Sequence, residues 1–267
     1  MKVYISADIE GVTGVTSWDE AEHGKPDYEP AREQMTAEVA AACEGALAAG
    51  ANGIWVKDAH DRANNLIPGR LQEPLRLIRG WSGHPLSMMQ EIDGGFDAAL
   101  MIGYHARARA GASPLEHTFT GRASEIRVND RPYSEFAFAA HTAAYYGVPT
   151  VLVSGDEGIC AEASELCPRI TTVPVKRGVG ASTISIHPNV ACKRIQQATE
   201  TALAGDLASR AISLPSRFSL EIVFRRHANA YAGSFYPGAT LSDPTTVRFE
   251  TDDYFEALRA LGFILRG

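Results

Sequence analysis

The chain has 267 residues, 45% of them hydrophobic and 21% charged, a balance that lets a globular protein bury a core without staples. Its formal net charge of -7 argues against nucleic acid as a partner, because a phosphate binder needs a basic surface. No apolar run approaches the ~20 residues of a membrane helix and none precedes the first acid, so neither a span nor a signal peptide is expected.

Taken in chain order, the apolar patterning predicts alternating strands and helices. Val3-Tyr4-Ile5 opens as a strand, and an Ala-, Glu- and Met-rich helix runs from about Glu29 to Ala49, closing at Gly50. Strands follow at Gly53-Ile54-Trp55-Val56 and at 98–102, each short, apolar and β-rich as buried strands are. Residues 125–132 break the rhythm with a strand that enters an Asn129-Asp130 turn, the mark of a small antiparallel insertion. A helix is predicted from Ser134 to Tyr146, a strand at 150–153, and a helix from an Asp156 N-cap towards Leu166. Another helix begins after Pro188 and ends near Ala204; strands at 220–224 and 246–250 and a helix from Asp252 to Leu265 complete the chain. The expected fold class is α/β: a mainly parallel sheet flanked by helices, with a small antiparallel insertion and a less regular C-terminal part. Residues 1–209 are expected to form the catalytic domain. Residues 210–267 form a C-terminal α+β part, either a subdomain or integral to it. Cys43, Cys160, Cys167 and Cys192 include no C-x-x-C pair and are read as reduced thiols of a cytoplasmic protein.

The chemistry-bearing residues fall at strand ends. Asp8 and Glu10 follow the first strand, His60 the second and His105 the third. Parallel strands share one carboxyl edge, where open α/β sheets bind ligands. In an extended segment, residues two apart point the same way, so Asp8 and Glu10 can face one site. Carboxylate oxygen and imidazole nitrogen suit zinc, with manganese and iron as further options. A carboxylate can bridge two ions, which makes a two-metal site attractive. Spacing by itself does not choose between a metal site and a metal-free acid/base site.

Several blocks together resemble a known family. They are 4–14 (YISADIEGVTG), Asp58-Ala59-His60 with Asn64-Asn65-Leu66, and 103–108 (GYHARA). Further on come 128–132 (VNDRP) with Glu135, and Ser154-Gly155-Asp156. In this order, over roughly residues 1–180, the chain resembles the zinc-dependent D-aminopeptidases of the dipeptide-permease operon type. The resemblance implies a two-zinc aminopeptidase that acts on short peptides through a metal-activated water. It further implies assembly as a ring-shaped homo-oligomer, a decamer. It assigns Asp8 as the ligand shared by two Zn2+ ions per chain. Glu10 and His60 complete one site, and His105 and Glu135 the other. It also marks His117 as the catalytic residue. A nucleophilic role for His117 would duplicate the water's, so an acid/base or oxyanion-stabilising role is expected. Preference for D-residues rests on the resemblance alone. A metal-dependent amidase or L-aminopeptidase on the same scaffold stays open, as does a non-catalytic metal- or peptide-binding protein. Arg107 and Arg109 are candidates for a peptide carboxylate, Asn64 and Asn65 for substrate contact, and Asp58 for orienting His60 or shaping a turn. His141 is expected in the core; His23, His84, His187 and His227 are expected to be structural or on the surface.

Overall fold

In the computed structural model, which describes residues 1–266, the alternating pattern becomes two sheets and seven helices. The elements in chain order are β1 (Lys2–Ala7), α1 (Trp18–Ala21), α2 (Tyr28–Ala48), β2 (Gly53–Asp58), β3 (Leu75–Ile78) and β4 (Ala98–Tyr104). Next come β5 (Ala123–Val128), β6 (Arg131–Pro132), α3 (Glu135–Tyr145), β7 (Thr150–Asp156), α4 (Glu157–Leu166), β8 (Thr171–Val179) and β9 (Ser182–Ser185). The chain ends with α5 (Pro188–Ala204), β10 (Phe218–Phe224), α6 (His227–Gly233), β11 (Thr240–Asp243), β12 (Thr246–Thr251) and α7 (Tyr254–Ile264).

The larger sheet has the order β3-β2-β1-β4-β7-β8-β9, all parallel except the β8–β9 pair. Its central strands are covered on both faces. Every residue of β4 and β7 is buried, which is why 98–102 and 151–153 read as apolar runs. Side chains alternate between the faces. Val3, Ile5 and Ala7 pack in one core with α2 and α5, while Tyr4 joins a second core with α3, α4 and α7. On α2 the buried Ala31, Met35, Val39, Ala42 and Ala46 repeat every three or four residues, giving the apolar stripe a one-sided helix needs. By contrast, α3 is buried almost all round. It lies in the second core, which joins the larger sheet to a smaller one.

The smaller sheet is antiparallel, with the order β11-β12-β10-β5-β6. The predicted turn closes the β5–β6 hairpin: Asn129 and Asp130 both have positive φ, as a type I′ turn requires. The insertion does not stand alone. β5 pairs with β10, so this sheet takes strands from both sides of residue 210. Strands β3, β8, β9 and β11 and the short helices α1 and α6 have no counterpart among the predicted elements. The chain runs outward from β1 through β2 to β3, then returns to lay β4 on the other side of β1. The crevice of an open α/β sheet opens at such a reversal, beyond the carboxyl ends of β1 and β4.

Candidate metal centre

The loop leaving β1 carries Asp8 and Glu10 over that crevice and is held against β4. Asp8 N donates to the Ile102 carbonyl at 2.9 Å and Gly11 N to the Gly103 carbonyl at 2.8 Å. A Cβ on Gly11 would lie 1.7 Å from the Tyr104 carbonyl oxygen, and one on Gly103 would lie 2.2 Å from that of Asp8. Only glycine allows the two backbones this approach. From the other side, the buried Lys176 ammonium of β8 donates to the carbonyls of Glu10 and Val15, and Glu38 of α2 accepts from Thr13 N at 3.0 Å. Burial lowers Lys176 to about 8 and raises Glu38 to about 7.

The other side chains arrive from neighbouring strand ends. His60 follows β2. Asp58 does not touch its ring: its carboxylate accepts from Asn65 N and Leu66 N and from the Asn65 amide, which also donates to the His60 carbonyl. Asp58 is therefore the turn acid that shapes the His60 loop. His105 follows β4, and Asp156 at the end of β7 accepts from Ala106 N at 2.8 Å while capping α4 through Ile159 N. Glu135 is the first residue of α3, after the Ser134 cap. Its Oε1 accepts from Phe119 N at 2.6 Å, with Phe119 in the left-handed region at φ 60, a strained backbone two residues after His117.

Each of three imidazoles gives one nitrogen to a backbone carbonyl and turns the other inward. His60 Nε2 donates to Ala21 O at 2.7 Å, His105 Nδ1 to Ala106 O at 2.9 Å and His117 Nδ1 to Leu115 O at 2.9 Å. A carbonyl only accepts, so the facing nitrogens carry their hydrogens and the inward ones can offer lone pairs. His60 Nδ1 lies 3.0 Å from Glu10 Oε2 and 3.3 Å from Asp8 Oδ1. His105 Nε2 lies 3.6 Å from both Asp8 Oδ2 and Glu135 Oε1. His117 Nε2 is 3.5 Å from Glu135 Oε1 and 3.9 Å from Glu10 Oε1, and its ring stacks on His105 at 4.4 Å.

Three carboxylates held this close out of water need positive charge between them. Burial and then Glu10 push Asp8 well above the usual carboxylate range. For Glu10, burial works upward but His60 outweighs it and holds the group well below that range. Burial works against the charged form of His105, yet Glu135 beside it raises the imidazole to about 10. Asp8 Oδ2, Glu10 Oε2 and His105 Nε2 are buried without a hydrogen-bond partner. Orphaned inward atoms on a carboxylate–imidazole set, with the outer nitrogens of its histidines tied to carbonyls, fit a divalent cation. Among the described residues, Asp8, Glu10 and His60 form one group that can hold an ion, and Asp8, His105 and Glu135 form another.

A cavity of about 930 Å³ opens over the cluster, lined by Asp8, Glu10, His60, His117 and Glu135 and walled by aromatic and basic side chains. The fold thus brings all the predicted site residues together. Other candidates lie elsewhere. Arg107 points to Glu162 and the Ala108 carbonyl, and neither it nor Arg109 lines the cavity. Asn65 is wholly buried, holding the Asp58 turn and the Tyr28 hydroxyl. His141 is buried, bonded to the Ala137 carbonyl and stacked on Tyr133. The sequence reading missed the wall: Trp18, Trp81, Phe119, Arg122 and Arg225. These come from loops and element ends, where no periodicity marks them.

A mainly parallel sheet with a carboxylate–imidazole cluster and an open cavity at its switch point is the layout of a metal-dependent enzyme of the α/β class. The model of the M55 peptidase family, described as D-aminopeptidase, matches residues 1–263, and the chain belongs to that family. A D-aminopeptidase of Bacillus subtilis (strain 168) is 33% identical over 263 residues, which cover 98% of this chain and 95% of that protein. A solved structure described as a Zn-dependent D-aminopeptidase, DppA from Bacillus subtilis, a self-compartmentalizing protease, superposes with a TM-score of 0.94 at 32% identity. That match covers 100% of this chain and 97% of the other.

Proposed function

We propose that the chain is a two-zinc aminopeptidase that removes the N-terminal residue, a D-amino acid, from short peptides. The observation that carries the reading is the placement of Asp8. Its Oδ1 faces His60, in the group completed by Glu10, and its Oδ2 faces His105, in the group completed by Glu135. One carboxylate shared between two ligand groups is the arrangement of a paired-ion site. Zinc bound there would supply Lewis acidity towards a scissile carbonyl and an activated water.

His117 is assigned the proton chemistry. Its side chain is 16% exposed against 1% for His105, and it lines the cavity where His105 does not. With Nδ1 held by the Leu115 carbonyl, Nε2 would accept the proton that the attacking water loses and pass it to the leaving amine. A second reading makes His117 a ligand, because Glu10, His105 and His117 also satisfy the geometry of an ion site. Residues 210–267 are integral to the catalytic domain on this reading, since β10 pairs with β5 and Leu258 and Leu261 of α7 line the cavity. No described helix is long and apolar enough to cross a membrane. A cytoplasmic, ring-shaped homo-oligomer, a decamer, is proposed on the likeness to the self-compartmentalizing relative. It is supported by the exposed Tyr231, Phe235 and Phe263, a surface that a subunit contact would cover.

Elemental analysis of the purified chain, with parallel assays on D-alanyl peptides, L-alanyl peptides and simple amides, tests the reading. About two zinc ions per chain and preferred cleavage of the D-alanyl peptides are expected. One ion after zinc reconstitution would overturn the paired site, and preferred cleavage of L-alanyl peptides or amides would overturn the substrate.

A further inference from the structure

The cavity is electrically lopsided. Its acids, Asp8, Glu10, Glu22, Asp61, Glu116 and Glu135, come from the segments that follow β1, α1, β2 and β4 and from the start of α3. Its arginines come from the opposite layer. Arg122 immediately precedes β5, Arg225 immediately follows β10, and Arg266 lies two residues beyond α7. β5 and β10 are antiparallel, so the start of one and the end of the other lie at the same end of the smaller sheet, and Arg225 N donates to the Arg122 carbonyl at 2.9 Å. Arg122 also donates to the Leu265 carbonyl, which brings the end of α7, and Arg266 with it, to the same place.

Most other arginines of this layer are neutralised. Arg127 pairs with Glu125, Arg217 with Glu250, Arg248 with Glu221 and Arg259 with Glu256. Arg225 is exposed, lines the cavity and, among the described residues, meets no carboxylate. What sets Arg225 apart is its place: its guanidinium lines the cavity with no described carboxylate engaging it, so it is available to a ligand there. Guanidinium is the side chain that best matches a carboxylate, through two parallel N–H donors. Arg107 and Arg109, the sequence candidates for that role, do not reach the cavity.

We propose that the arginine end of the cavity, with Arg225 as its principal donor, receives the free α-carboxylate of the peptide. The substrate class is then a zwitterionic peptide of a few residues, its amino end towards the acidic cluster and its carboxylate at Arg225. The size agrees: about 930 Å³ lies at the upper end of small-ligand pockets and holds a short extended peptide at ~3.5 Å per residue, not a folded chain. The inference rests on the aminopeptidase reading of the same cavity, and its test separates the two.

The test compares a D-alanyl tripeptide as free acid with the same tripeptide as C-terminal amide, on wild type and on Arg225→Gln. Wild type prefers the acid. In Arg225→Gln the acid-to-amide ratio of kcat/KM falls about tenfold, and the fall lies in KM for the acid. Calorimetric binding of the two peptides to the zinc-loaded His117→Ala variant, with and without Arg225→Gln, gives the same ratio without turnover. A ratio that Arg225→Gln leaves unchanged in both measurements overturns the carboxylate site. A wild type that cleaves neither peptide overturns the aminopeptidase reading, and the binding ratio still decides the site.

Discussion

Three imidazoles, each with one nitrogen fixed on a carbonyl, set a division of labour at the scale of single residues. His60 and His105 are the more buried and face the shared Asp8, whereas His117 is the most exposed of the three. His117→Ala is therefore expected to keep both ions by elemental analysis and to lower kcat by about 10²–10⁴-fold, the range of a lost general acid. An ion lost from that variant would instead make His117 a ligand. Lys176 acts one step further out, through the backbone that carries Glu10. Lys176→Met should weaken zinc binding, measured by competition with a chromogenic chelator, by about 10–100-fold while the fold persists. Glu38 offers a separate pH test. Burial raises its carboxyl from 4.5 to about 7, so between those values the folded chain holds a proton that the unfolded chain has released. Stability from this group then falls as pH rises from about 4.5 to 7 and is level above. Glu38→Gln keeps the Thr13 contact and removes the titration. Denaturant melts should show it gaining on wild type across that window by at most about 3 kcal/mol, and a pH-independent difference would refute the assignment.

At the scale of elements, the site depends on how closely the loop after β1 approaches the end of β4. Gly103 has φ +74 and no room for a Cβ against the Asp8 carbonyl. Gly103→Ala must therefore move the segment that bears Asp8, and a loss of several kcal/mol in stability with a matching loss of bound zinc is expected. Retention of both would show that the loop yields elsewhere. This dependence also explains what could be read beforehand. Asp8, Glu10, His60 and His105 were legible because buried parallel strands announce themselves as apolar runs, and the residue after each run must lie at the carboxyl edge. Glu135 was not legible in that way: it opens a helix, and only the tertiary packing of α3 against the larger sheet turns it inward. β8 was missed because Pro174, Lys176 and Arg177 break its apolar run, yet it supplies the Lys176 clamp. The pairing of β5 with β10 joins segments about ninety residues apart, a contact no local pattern encodes.

At the scale of the whole molecule, the cluster is a liability that a cation removes. Three carboxylates share the end of the central crevice, and their partners are imidazoles that would have to hold protons in place of metal. Because the cluster ties β1, β2, β4 and α3 at one edge, any ion bound there stabilises the assembled layers and not the unfolded chain. Mass action then sets the scale: free zinc at a thousandfold excess over its dissociation constant adds about 4 kcal/mol. For a chain of this length, that corresponds to roughly 8–16 °C in Tm. Chelator-treated protein should melt lower by that order, and zinc should restore the Tm in proportion to the logarithm of its concentration. Glu135→Gln, which leaves the Asp8–Glu10–His60 group whole, should keep part of the increment, whereas Asp8→Asn, which touches both groups, should abolish most of it. Equal losses in the two variants would mean that the ions do not share Asp8, and the paired site would then have to be redrawn around Glu10, His105 and His117.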